Sequence, residues 1–258
     1  DYPVFVDCSI VKSSKRKGYK MISEYTIQES NVFGNAEGYE IEIEMDNSKK
    51  NMDDVAGKLK KVIKYVLSGI QESNYPIGYS EMNTVLRGYM QLIHKREMDT
   101  RRIRPKDFIG PSSKTLQRKN ISNINPDINI PNVTEPFAFC VTDKADGDRH
   151  LLYVNSIGKI YLINTNMNVI FTGARSEHKD CYNSIIDGEL IIHNKNGTFI
   201  NTYAAFDIYY INKTDVRARP FMKVPGKDDK FYENGVRLQM LNAFVKELKP
   251  VSIVAKTK

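Results

Sequence analysis

Lys144 lies in the polar stretch Val141-Thr-Asp-Lys144-Ala-Asp146-Gly147-Asp-Arg149, which sets an amine, a carboxylate, a glycine and a guanidinium close together. A lysine amine has an ordinary pKa of ~10.4 and becomes a nucleophile only where its surroundings favour the neutral form. Arg149 is expected to supply part of that influence, and Asp146 to orient the amine or help hold a metal. Gly147 would permit either a positive φ or the close approach of a phosphate-bearing ligand. Asp-Gly is also the commonest signal of a charged hairpin turn. Average residue usage makes a chance Lys-x-Asp-Gly in a chain of this length roughly a one-in-twenty event, so companion residues must decide.

Three companion stretches carry acids. Ile186-Asp187-Gly188-Glu189-Leu190 opens one apolar run, and Tyr203-Ala-Ala-Phe206-Asp207-Ile208 lies in another. In the first half of the chain, Tyr39 to Met45 alternates so that Glu40, Glu42 and Glu44 share one strand face and Ile41, Ile43 and Met45 the other. Neighbouring carboxylates repel unless water or a cation relieves them. The row is therefore either solvated or a site for a hard divalent cation such as Mg2+ or Mn2+.

The elements that must position these residues can be read from periodicity. Tyr2 to Ile10 reads as a strand with Asp7 and Ser9 on the face opposite Val6 and Ile10, and Lys12 to Lys20 as a basic, Gly-containing loop. Ser23 to Gln28 reads as extended. Two amphipathic helices are expected over Asn51 to Glu72 and Ser80 to Arg96. Strands are expected over Phe137–Val141, Leu151–Val154, Lys159–Asn164, Asn168–Phe171, Ile185–His193 and Thr198–Ile211, with a helix over Gly235–Leu248 closed by Pro250. The lysine turn would then lie between the first two of these strands.

Length and composition narrow the class. The 258 residues, 41% of them hydrophobic, suffice for one large domain or two ordinary ones. Asp1 reads as the start of a fragment, and the absence of a leader or a long apolar run predicts a cytoplasmic protein with no membrane partner. Cys8, Cys140 and Cys181 are widely spaced and odd in number, as reduced thiols would be, with neither a disulfide framework nor a zinc site indicated. Nearly all of the net charge of +7 falls in Lys95–Lys119, where nine basic residues face three acidic ones. Such a block suits RNA or a solvated linker. The Asn-, Ser- and Pro-rich stretch that follows places a domain boundary near Arg104, dividing the chain into residues 1–104 and 105–258.

The order Lys144-x-Asp-Gly-x-Arg149, then Asp187-Gly-Glu189, then Phe206-Asp207 resembles the covalent nucleotidyltransferases, the messenger RNA capping guanylyltransferases and polynucleotide ligases. Phe108-Ile-Gly-Pro to Leu116-Gln-Arg118 is similar to the entry segment of the capping guanylyltransferases. The resemblance implies that Lys144 attacks the α-phosphate of GTP to form a lysyl-nucleotide adduct. It further implies that Asp146 and Gly147 line the nucleotide site, that Arg149 and Glu189 contact the ribose, that Phe206 stacks on the base, and that Asp187 and Asp207 support the pocket. The later lysine-bearing strands and the OB-fold lid of that family are not recognisable before Lys258.

The Glu40, Glu42, Glu44 row resembles one metal-binding strand of the tunnel-type RNA triphosphatases. Asp7 and Ser9 are similar to another tunnel strand, and Lys12 would be a phosphate contact. A triphosphatase joined to a guanylyltransferase resembles the capping enzymes of large cytoplasmic DNA viruses. The expected architecture is therefore α+β: part of an antiparallel β tunnel with packed helices, then an antiparallel-sheet nucleotidyltransferase domain with flanking helices. The implied partners are GTP, the RNA 5′ end and a viral RNA polymerase or transcription machinery. An ATP-dependent ligase and a non-catalytic RNA-binding module are the competing readings.

Overall fold

The computed structural model describes residues 2–49, 53–95, 102–120, 139–249 and 254–257. Two compact units divide the chain, Asp1–Ile70 and Gln71–Lys258. Part of the basic window, residues 96–101, and the Asn-rich stretch at 121–138 lie outside the described residues.

The first unit contains β1 (Val4–Lys12), β2 (Arg16–Lys17), β3 (Lys20–Met21), α1 (Ile27–Ser30), β4 (Glu37–Met45) and nearly all of α2 (Val55–Gln71). β1 and β4 pair antiparallel from Val4↔Met45 to Lys12↔Glu37. Among the described residues they form a two-stranded ribbon, and no further strand extends it into a tunnel. The stretch expected to be extended over Ser23–Gln28 instead leads into a helical turn. Thr26 accepts the Glu29 amide and caps α1, a local hydrogen bond that outweighs the β-leaning composition. Ahead of α2, the Asp54 carboxylate accepts the Gly57 amide at 3.1 Å and satisfies one of the donors that every helix start leaves open.

The second unit is built on a seven-stranded sheet. Its elements are α3 (Tyr79–His94), β5 (Asp148–Val154), β6 (Lys159–Asn164), β7 (Val169–Arg175), β8 (Ser184–His193), β9 (Phe199–Ile211), β10 (Thr214–Asp215), α4 (Arg237–Leu248) and β11 (Val254–Thr257). The order is β10-β9-β8-β5-β6-β7, all antiparallel, and β11 pairs parallel with β9. Alternation along β5 divides the core. Leu152 and Val154 pack with Leu241, Phe244 and Leu248 of α4, whereas Leu151 and Tyr153 pack with Val85, Tyr89 and Met90 of α3. Each large apolar side chain buried this way contributes about 1.5–3 kcal/mol.

Two expectations change. The division of the chain falls at Ile70, not near Arg104, because the apolar stripe of α3 is buried on the sheet of the second unit. Buried Tyr89 also ties the segment after Arg104 to α3, donating to the Asp107 carbonyl and accepting from the Ile109 amide. The strand expected over Phe137–Val141 is not formed by Phe139–Val141, and Phe137 and Ala138 lie outside the described residues. Both edges of β5 are already taken, by β6 and β8, so a strand leading into the lysine turn has no free edge to pair with there.

Candidate active site

Lys144 lies in an irregular segment just ahead of β5, with 84% of its side chain exposed. It lines an open cleft of about 390 Å³ together with Asp146, Gly147, Asp148, Leu190, Ile192 and His193. The Lys144 Nζ donates to Asp146 Oδ1 at 2.9 Å. That hydrogen bond and the Asp146 charge raise the Lys144 pKa, and Glu189 raises it further. The same hydrogen bond holds the Asp146 carboxyl below its ordinary value. These acids favour the ammonium form of Lys144, and Arg149 is not among the groups that shift it. The lysine is displayed to solvent, as its polar sequence context implies.

Gly147 serves close approach to the protein itself. A Cβ added there would lie 2.7 Å from the Leu190 carbonyl oxygen and 3.1 Å from its carbon, both backbone atoms of β8. The glycine thus lets the lysine segment lie against β8, beside Glu189, and its φ is not positive.

Arg149 makes its hydrogen bonds within the protein. In the β5–β8 register it stands opposite Glu189, while Asp187 stands opposite Leu151, so Arg149 and Asp187 are diagonal neighbours on one sheet face. Arg149 Nε and Nη2 donate to the two oxygens of Asp187 at 3.0 and 2.5 Å, and Nη1 donates to the Pro111 carbonyl. Its guanidinium lies 5.4 Å from the Phe108 ring centre and 5.9 Å from that of Phe206. Asp187 is 0% exposed and also accepts the Tyr209 hydroxyl. This bidentate pair raises the Arg149 pKa, and burial together with the Asp187 charge pushes the Tyr209 phenol up. The arrangement ties β5 to β8, with one donor on each guanidinium nitrogen engaged by a protein oxygen.

Asp207 joins a different partner. Arg237, at the start of α4, donates to both its oxygens through Nε at 2.8 Å and Nη2 at 3.2 Å, and Nη1 reaches the Arg217 and Arg219 carbonyls. This fork fastens α4 to β9. Sequence reasoning missed Arg237 and Tyr209. A cation in the first turn of a helix opposes the helix dipole and was a readable sign that a carboxylate compensates it. Tyr209 carries no such sign within its apolar strand.

In the first unit, the register places Glu44, Glu42 and Glu40 opposite Phe5, Asp7 and Ser9. Residues opposite each other share a face, so Asp7 and Ser9 join the glutamate row. All of these side chains are exposed. Lys12 falls on the other face, donating to the Phe33 carbonyl at 3.0 Å and pairing with Glu37 at 3.4 Å. The row offers hard oxygen donors of the kind Mg2+ or Mn2+ prefers. Among the described residues, however, no three His, Cys, Asp or Glu side chains converge as a metal would need. No helix among them is long and apolar enough to cross a membrane.

The second unit thus sets Lys144 just ahead of β5 and carries Asp187-Gly188-Glu189 on β8, the strand paired antiparallel with β5. Residues 82–225, more than half of the chain, match the family model for the mRNA capping enzyme, catalytic domain, and the chain belongs to that family. The matched range takes in Lys144 and every candidate residue of the second unit and leaves out the glutamate row. A probable mRNA-capping enzyme of Acanthamoeba polyphaga mimivirus is 28% identical over 179 residues. The aligned part covers 69% of this chain and 13% of that protein.

Proposed function

We propose that the second unit transfers GMP during mRNA 5′ capping, with Lys144 as the covalent acceptor. The observation that carries the reading is an exposed lysine in an open cleft, held by Asp146 and Gly147 against the strand that bears Glu189, in a chain of the capping enzyme family. Once Asp146 releases it and a proton is lost to solvent, the Lys144 nitrogen attacks the α-phosphorus of GTP. A P–N bond forms, the bond to the β-phosphate oxygen breaks, and pyrophosphate leaves. An oxygen of the RNA 5′ diphosphate then attacks the same phosphorus and returns the amine. Asp146 orients the amine, Glu189 and Phe206 lie toward the nucleotide, and the Arg149–Asp187 and Asp207–Arg237 pairs hold their strands in place. A divalent cation bound with the nucleotide would neutralise the charge of the departing pyrophosphate.

The first unit is proposed as half of an RNA triphosphatase site, with Glu40, Glu42 and Glu44 as Mg2+ or Mn2+ ligands and Asp7 and Ser9 on the same face. A viral transcription machinery as partner and a cytoplasmic setting are part of this proposal, and the likeness to a mimivirus protein named as a probable mRNA-capping enzyme supports its viral capping part.

GTP and ATP, each labelled at the α-phosphate, test the reading on the full chain. Acid-labile, base-stable label from GTP that disappears in Lys144→Ala is the expected result. Label from ATP alone would make the chain a ligase, and label retained by Lys144→Ala would remove the lysine from the mechanism.

A further inference from the structure

The β2–β3 hairpin carries a concentration of charge that the proposed chemistry does not use. From Lys12 to Ser23 there are five basic residues and no acid: Lys12, Lys15, Arg16, Lys17 and Lys20. Lys12 is engaged with Glu37 and Phe33, whereas Lys15, Arg16, Lys17 and Lys20 are exposed and have no acidic partner among the described residues. The hairpin is closed at its base by the Ile22 amide on the Lys15 carbonyl and by Ser14 Oγ on the Ile22 carbonyl, and it turns at Gly18, whose φ of +65 suits a tight reversal.

The pairing inside this hairpin is unfavourable by itself. Lys17 stands directly opposite Lys20, which puts two ammonium groups side by side on one face. Directly opposed like charges destabilise a strand pair, and an anion between them reverses the sign of the interaction. Between the two lysines, at the turn, Tyr19 is fully exposed, and Tyr25 just beyond the hairpin is too. A cationic pair with an adjoining uncovered aromatic ring is the combination that holds single-stranded nucleic acid, the lysines on phosphates and the ring on a base.

We infer that the β2–β3 hairpin is a binding element for single-stranded RNA, with Lys17 and Lys20 taking the phosphate backbone and Tyr19 stacking on a base. The inference rests on the capping reading for the identity of the strand and deepens it by naming where the RNA is held. RNA is favoured over an anionic membrane surface because the apolar groups at the hairpin tip are a tyrosine and a single methionine, too few for insertion into a bilayer.

The test is fluorescence anisotropy of the full chain with a 3′-labelled single-stranded RNA bearing a 5′ triphosphate, at 50 and 200 mM salt. Loss of two phosphate contacts lowers the single-strand salt slope by about 1.4. In the variant Lys17→Ala/Lys20→Ala the ratio of affinities at the two salts is therefore expected to shrink about sevenfold. Lys17→Arg/Lys20→Arg should keep the wild-type slope, and Tyr19→Ala should weaken binding about fivefold or more at both salts. An unchanged slope and affinity in the double alanine variant would overturn the inference, as would wild-type protein that fails to bind the RNA. Binding of phosphatidylserine vesicles that is lost in the variant while RNA binding persists would overturn it in favour of a membrane. The GTP adduct on Lys144 is measured in the same samples. Its formation in the hairpin variant, with RNA binding lost, separates failure of this element from failure of the nucleotide chemistry.

Discussion

Replacing Arg149 with Met is expected to destabilise the second unit far more than a surface substitution would. Asp187 is completely buried and accepts three hydrogen bonds, two from Arg149 and one from Tyr209. Met keeps much of the apolar contact with Phe108 and Phe206 but leaves the carboxylate with the Tyr209 hydroxyl as its remaining side-chain donor. Breaking a buried ion pair from one side costs about 3–5 kcal/mol. At about 2–4 °C per kcal/mol for a unit of this size, the midpoint should fall by roughly 6–20 °C. The reverse substitution, Asp187→Asn, should cost less, about 1–3 kcal/mol, because the Arg149 side chain is a quarter exposed and can turn to water. In the double variant Arg149→Met/Asp187→Leu no buried charge remains, and its loss should fall well below the sum of the corresponding single substitutions. Amide exchange of Leu151–Val154 in β5 is the appropriate probe, since it reports the second unit alone. A loss under about 1 kcal/mol in Arg149→Met, or strict additivity in the double variant, would refute the reading of this pair as a buried structural buttress.

Asp146→Ala removes the hydrogen bond and charge that raise the Lys144 pKa, so the pH midpoint for acylation of Lys144, followed by mass spectrometry, should move down; an upward or absent shift would contradict the pairing. Gly147→Ala drives a Cβ against the Leu190 backbone and should cost about 1–3 kcal/mol while lowering adduct yield, with far-UV circular dichroism showing the sheet intact. Hydrogen bonds from Arg217 hold the Asp215 pKa at about 2, below the ordinary carboxylate value. Its stabilising contribution is therefore complete above pH ~4 and is lost as the pH falls toward 2, so acid titration of Arg217→Met should lack that part of the transition. Burial pushes the Cys181 thiol up to about 11, whereas Cys8 and Cys140 are exposed. Thiol titration at neutral pH should accordingly show two rapid equivalents and a third only on unfolding.

The elements of the second unit were legible because their periods are strong: β6 follows Lys159–Asn164 as expected, and β8 and β9 begin within one residue of expectation. Glu40, Glu42 and Glu44 share a face because alternation along a strand is fixed by the backbone alone. Lys144 was legible as an exposed amine because its neighbours are polar and no apolar pattern could bury it. What a side chain is bonded to depends on register and on packing between distant segments. Arg149 reads in sequence as a ligand-facing cation, yet the β5–β8 register sets it diagonal to Asp187, and burial of that acid compels the pairing. Asp207 is likewise claimed by Arg237 across thirty residues of chain. The boundary was missed for the same reason: the apolar stripe of α3 is visible in the sequence, but the surface that buries it exists only once β5 and β6 are paired. Sequence thus determined which groups could do chemistry and the strands and helices that carry them. Tertiary structure decided which charges hold the sheet together, Arg149 with Asp187 and Arg237 with Asp207, and it leaves Lys144 exposed beside the equally exposed Asp146.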